Sequence, residues 1–133
     1  MLQVRISQPG GLSLALSRTE PSSLDVTVEG GGLSAHSMVT LDADVLCQFF
    51  RDAATRTAPV WGRWEYKSAT DEDFILHAAP EGPEDIRLWI DLVSPMSEDS
   101  ADWQVKGTII LPVSRFREHA AEVARVFSRP PEP

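Results

Sequence analysis

The stretch LDVTVEGGGLSAHSMVTLDADVLCQFFRDA, residues 24–53, carries three signals in succession. Leu24, Val26 and Val28 alternate with polar residues, the period-two pattern of a strand buried on one face. Gly30, Gly31 and Gly32 then supply turn residues. Leu33, Ala35, Ser37, Val39 and Leu41 resume the alternation, so the two runs predict an antiparallel hairpin. From Asp42 the period changes, because Val45, Leu46, Phe49, Phe50 and Ala53 recur at helical spacing, with Asp42 or Asp44 placed to cap free N–H groups. Such an apolar stripe needs a sheet beneath it. Upstream, Leu12, Leu14 and Leu16 give another alternating run, as do Leu2, Val4 and Ile6 before Pro9, Gly10 and Gly11. Four strands therefore precede the helix.

The second half repeats this order. Trp64 and Tyr66, then Phe74, Leu76 and Ala78, then Ile86, Leu88, Ile90 and Leu92, then Trp103, Val105, Gly107, Ile109 and Leu111 mark four further strands. A helix starting around Pro112 to Ser114 lines up Phe116, Ala120, Val123, Ala124 and Phe127, and ends before Pro130 and Pro131, which cannot continue it. Adding 62 carries Leu2, Val4, Leu12, Leu14, Leu16, Leu24, Val26 and Val28 onto apolar residues without exception. Beyond the third strand an offset of 70 carries Leu33, Ala35, Val39, Leu41, Leu46, Phe50 and Ala53 onto Trp103, Val105, Ile109, Leu111, Phe116, Ala120 and Val123. The difference falls in the loop 94–100, where an insertion disturbs neither flanking strand. The expected fold is α+β, a ββββα unit used twice, with antiparallel sheets each packed with one helix and helices over 42–55 and 113–127. One domain covers 1–129, with pseudo-repeats 1–58 and 59–129, and 130–133 is expected to be a disordered Pro-rich tail.

The chain has 133 residues, enough to bury a sizeable core. Its 20 acidic side chains against 12 basic ones give a formal charge of -8, which opposes general binding to nucleic acid or anionic membrane and favours a basic protein partner. No apolar run approaches the roughly 18 residues needed to cross a bilayer. The first residues lack the basic start and apolar core of a secretion signal, so a cytoplasmic location is expected. A single cysteine, Cys47, cannot form an internal disulfide, which fits a reducing compartment.

Catalytic patterns are absent from the sequence. His36, His77 and His119 lie far apart and form no HExxH-like ligand pair, so neither a metal nor another cofactor is expected. All three are expected at the surface. Cys47 sits in the middle of the predicted helix, where a small packing residue is the ordinary reading and an activated thiolate the exceptional one. No GxSxG elbow occurs, and the glycine triplet is followed by a strand, not by the Lys and helix of a phosphate-binding loop. Acids cluster at Asp71, Glu72 and Asp73, at Glu81, Glu84 and Asp85, and at Glu98, Asp99 and Asp102, all near turns. Solvation of turns accounts for them, and an acidic docking surface is the functional alternative. The chain is accordingly expected not to be an enzyme.

The aromatic that breaks the strand pattern is Trp89. It shares the outward phase of its strand with Arg87 and Asp91, opposite to Leu88 and Ile90. Ile75 and His77 on the preceding strand, and Lys106 and Ile110 on the following one, have that same phase. Two readings stand side by side: this outer face packs on the other half of the molecule and Trp89 is core, or it is an exposed contact patch. On the second reading Trp89, Ile75, His77, Lys106, Ile110, Asp85 and Asp91 form a partner-binding face, and self-association as a homodimer would use the same surface.

A ββββα unit used twice resembles the topology of Whirly and PUR-type single-strand nucleic-acid-binding proteins. Their Lys-Gly-Lys-Ala-Ala-like strand motif and basic, aromatic strand faces have no match here, the nearest run being Gln104-Val105-Lys106-Gly107-Thr108. The chain is also similar to a family of short bacterial domains of unknown function, many from actinobacteria. That likeness rests on Trp61 or Trp64, on Asp73 to Ala78, and on the Trp103 to Leu111 strand leading into the last helix. By analogy with small acidic α+β immunity proteins, the expected function is non-enzymatic binding of a basic toxin or effector. The alternative from a different class is single-stranded nucleic-acid binding through strand-borne aromatics.

Overall fold

A computed structural model describes residues 3–20, 22–55, 63–68, 73–93 and 103–127. The first half runs β1 (Gln3–Ser7), β2 (Ser13–Glu20), β3 (Ser23–Gly30), β4 (Leu33–Thr40) and α1 (Ala43–Thr55). The second runs β5 (Trp64–Lys67), β6 (Phe74–Glu81), β7 (Asp85–Val93), β8 (Gln104–Pro112) and α2 (Val113–Phe127). Strands pair in chain order into two four-stranded antiparallel sheets, β1-β2-β3-β4 and β5-β6-β7-β8. The fold is α+β, with ββββα used twice. Leu2, Trp61, the loop 94–100, Asp71, Glu72, Glu98, Asp99, Asp102 and the tail 130–133 lie outside the described residues.

Local chemistry explains the turns and helix starts. Gly30 pairs with Leu33, and the two residues between them, Gly31 and Gly32, hold φ of 59° and 83°, the positive values that a two-residue type I′ hairpin requires. Asp42 is the residue that caps α1, its Oδ1 accepting the Val45 N–H at 3.2 Å. At the other end of the chain, the Arg18 guanidinium donates to the carbonyl of Phe127 at 3.3 Å, covering a carbonyl that the end of α2 leaves free.

Inward residues of both sheets and both helices join one core. Phe50 of α1 stacks on Phe116 of α2 with ring centroids 5.6 Å apart, and Phe49 meets Phe50 edge-on at 5.2 Å. Burying a side chain of this size contributes roughly 1.5–3 kcal/mol. The two helices pack on each other, and each also reaches the edge strand of the opposite half, α1 against β5 and α2 against β1. Arg117 Nε donates to the Ala54 carbonyl at 3.2 Å across the helix pair.

The halves meet a second time at the β1–β2 turn. Gln8 Oε1 accepts the Ile110 N–H at 2.9 Å, capping a donor on the edge strand β8. Leu12 lies directly over Gly107, where a Cβ would stand 2.0 Å from Leu12 Cδ1. Leu12 thus fills the place of the side chain that Gly107 lacks.

Register revises the repeat arithmetic. Val28 faces Ala35 and Ile90 faces Gly107, so β4 maps onto β8 with an offset of 72, not 70, while the third strands keep 62. The helices begin at Ala43 and Val113 and so do return to 70, because two residues, Leu41 and Asp42, separate β4 from α1 and none separates β8 from α2. Trp103 therefore precedes β8 and is exposed, instead of opening the buried phase, and Leu33, beside the turn, is exposed as well. His119 also departs from expectation: its side chain is only 12% exposed and its Nδ1 lies 3.1 Å from Glu122 Oε1.

Candidate functional site

The site grows from the outward phase of the second sheet. Register sets three rows across it, in the order β5 to β8. The central row is Glu65, His77, Trp89 and Thr108; beside it run Lys67, Ile75, Asp91 and Lys106 on one side and Arg63, Ala79, Arg87 and Ile110 on the other. Trp89 stands in the middle, 37% exposed, and so is not part of the buried core. A concavity of about 700 Å³ opens beside it. Its lining sets the small outward residues Ala79 and Thr108 beside the larger Trp89, Ile75 and His77.

Ion pairs fix most of this face. Arg87 donates through Nε and one terminal nitrogen to the two Glu81 carboxylate oxygens, at 3.0 and 2.9 Å, a bidentate pair that holds its guanidinium 5.6 Å over the Trp89 ring. His77 Nε2 lies 2.5 Å from Glu65 Oε2, and Lys67 Nζ lies 3.6 Å from Glu65 Oε1. Burial alone would raise the Glu65 carboxyl, but the hydrogen bond and charge of His77, with Lys67 and Arg63 nearby, hold it below the usual carboxylate range. Gln104 Nε2 donates to Asp91 Oδ1 at 2.8 Å. The face carries Arg63, Lys67, Arg87 and Lys106 against Glu65, Glu81, Asp85 and Asp91, so its charges balance although the chain as a whole carries -8.

Of the residues expected from sequence, Ile75, His77, Trp89, Asp91 and Lys106 line the concavity together. Ile110 belongs to the same face one row away, and Asp85 sits beyond it at the start of β7, opposite Pro112 and Glu81. Arg63, Ala79 and Thr108 were not anticipated. Arg63 carries the outward phase one step before Trp64, and the other two are small residues that matter by the space they leave.

A second hollow, of about 490 Å³, lies between the helices and includes Cys47, Arg51, Arg117 and Ala120. Cys47 is half-buried, with Sγ 3.9 Å from the Val123 carbonyl, and burial together with Asp44 pushes its thiol up, away from the thiolate that reactivity requires. On the first sheet His36 meets Asp25. Among the described residues no three His, Cys, Asp or Glu side chains converge as metal ligands, and no helix is long and apolar enough to cross a membrane. Comparison of the chain with protein-family models, with curated proteins and with solved structures finds no match.

Proposed function

We propose that this protein is a non-enzymatic protein-binding domain whose partner docks on the outer face of the second sheet with Trp89 as central anchor. The observation that carries this reading is Trp89 itself: a large aromatic in the middle row of a sheet, partly exposed, with the Arg87 guanidinium over its ring and a concavity beside it. Tryptophans in such central positions supply much of the energy of protein interfaces. The chain's charge of -8 supports a basic partner, as for an immunity-type inhibitor of a toxin or effector. Because the face itself is charge-balanced, that attraction acts at long range and speeds encounter, and the close contact is left to Trp89 and its neighbours.

The test is capture of a partner by the wild-type chain and by Trp89→Ala, compared quantitatively. Loss of roughly 2 kcal/mol, near thirtyfold in affinity, with an unchanged circular dichroism spectrum and melting temperature is expected. Equal capture by both proteins refutes the assignment of the face. If the only species bound is a second copy of the chain, the face is a homodimer interface. Single-stranded nucleic acid is the second reading, favoured by one observation, the strand-borne Trp89 between Arg63 and Lys106. Retardation of short oligonucleotides at low salt, abolished by Trp89→Ala, would support it over the first.

A further inference from the structure

We infer that the concavity beside Trp89 receives an apolar side chain flanked by carboxylates, presented by an acidic segment of the protein partner. This rests on the docking face proposed above and assigns the chemistry of what enters it. The charges of the whole face balance, but they differ in what they already hold. Glu65 is engaged by His77 and Lys67, Glu81 takes both of its bonds from Arg87, and Asp91 accepts the Gln104 amide. Arg63 and Lys106, by contrast, have no carboxylate within 4 Å among the described residues, and both line the concavity.

Their placement adds geometry to charge. Arg63 lies in the row of Ala79 and Arg87 on the β5 edge, whereas Lys106 lies in the row of Ile75 and Asp91 on the β8 edge. These two cations therefore stand at diagonally opposite corners, with Trp89 and the hollow between them. An apolar side chain can enter the hollow against Trp89 and Ile75 while acidic groups on either side of it reach the two corners. A basic segment entering here would bring like charge to both cations and find the nearest carboxylates already hydrogen-bonded. A polyanionic strand would need a continuous cationic track and several stacking rings, whereas among the described residues the face offers one tryptophan and carries Glu65 and Asp91 between its cations. The overall attraction of a basic partner and the local acceptance of an acidic segment act at different distances and do not conflict.

The test uses the full chain labelled with ¹⁵N and three blocked tripeptides, acetyl-Asp-Phe-Asp-amide, acetyl-Asp-Ala-Asp-amide and acetyl-Lys-Phe-Lys-amide. The readout is the Trp89 indole N–H resonance, assigned by its loss in Trp89→Phe. The acidic Phe peptide is expected to shift it with a dissociation constant on the order of millimolar, as suits so small a ligand. The alanine peptide should bind more weakly, and Arg63→Gln with Lys106→Gln together should weaken the Phe peptide roughly five- to tenfold, since both substitutions remove exposed charge contacts without touching the core. The inference is overturned if the lysine peptide shifts the resonance as much, if the double variant binds the acidic peptide unchanged, if a short oligothymidylate binds more tightly than the acidic peptide, or if no peptide shifts it. Shifts of the Ile75, Ala79 and Thr108 backbone N–H resonances by the lysine peptide, lost in Trp89→Ala, would keep the docking face and discard only the charge assigned to its ligand. Partner capture unaffected by Trp89→Ala would discard the face itself.

Discussion

The seat of Leu12 over Gly107 makes the joining of the two halves measurable. A methyl group on Gly107 would stand 2.0 Å from Leu12 Cδ1, and all three of its nearest neighbours are atoms of Leu12. Carbon atoms pack at about 3.5–4.0 Å, so Gly107→Ala forces Leu12 out of its seat. What must move is the end of one side chain, not backbone, which places the cost at the lower end of the overpacking range, about 1–2 kcal/mol. Leu12→Ala empties the same seat from the other side. Leu12 is only partly buried, so its truncation should cost about 2 kcal/mol, the bottom of the range for leucine. In that background Gly107→Ala meets no obstacle to its new methyl group, and alanine restricts the unfolded chain more than glycine does, a gain of about 0.5 kcal/mol. Added separately the two substitutions should cost about 3–4 kcal/mol, but the double variant should lose only about 1.5 kcal/mol. Urea unfolding of the four proteins measures this directly. Additivity within about 0.5 kcal/mol would show that Leu12 is not seated on Gly107 and that the β1–β2 turn does not clasp β8.

Phe50→Ala or Phe116→Ala should each cost about 3–5 kcal/mol in thermal or urea unfolding, because both rings are fully buried and each stacks on the other between the helices. Tyr66 is buried on the inner face of β5, and burial, with a smaller opposing contribution from the backbone of Asp42, pushes its phenol up to about 12. The sign follows from linkage: the unfolded phenol ionises near pH 10 and the folded one does not, so stability is intact below pH 10 and falls between pH 10 and 12 by about 2–3 kcal/mol. Tyr66→Phe should remove that part of the alkaline loss, and an unchanged alkaline profile would contradict the burial. Neutralising Asp85 and Asp91 should slow association with a basic partner and flatten its salt dependence while changing dissociation little, as stopped-flow mixing can show.

The strands and helices were legible because burial on one face enforces a period that no other structure tolerates. Leu24, Val26 and Val28, like Ile86, Leu88 and Ile90, are fully or almost fully buried as the alternation requires, and α1 and α2 begin within a residue of the change in period. What the alternation could not supply was register, because a shift of two residues preserves phase. The pairing of Leu33 with Gly30 and of Val105 with Leu92 therefore had to come from the structure, and with it the exposure of Trp103. The same limit applies to the site. Phase placed Trp89, His77, Ile75 and Lys106 on one face, but the hollow is made by Ala79 and Thr108, whose smallness signals nothing until their neighbours across the sheet are known. His119 was misjudged for a related reason: flanking Glu118 and Glu122 suggested a solvated helix face, whereas packing covers most of its ring.

The repeated ββββα unit gives the second sheet an internal control. The register positions of His77, Trp89 and Thr108 correspond in the first sheet to Ala15, Thr27 and His36, which likewise pair directly across β2, β3 and β4. Inward positions in both halves are mostly apolar because the core requires it, buried Ser37 on β4 being an exception. Outward positions answer to no such requirement, and there the halves differ. In the first sheet Ala15 is buried, His36 is occupied by Asp25, and Arg5, which completes the row on β1, donates to the Ser13 hydroxyl at 3.1 Å, so that row presents no projecting indole. In the second, the same backbone geometry carries the indole of Trp89, a hollow beside it, and Arg63 and Lys106 without carboxylate partners among the described residues. Since a twofold scaffold would serve stability equally well with two polar faces, the difference between the faces is what needs a cause. The contact proposed here, made through one sheet alone, would supply it, and such a contact would not be symmetric about the repeat.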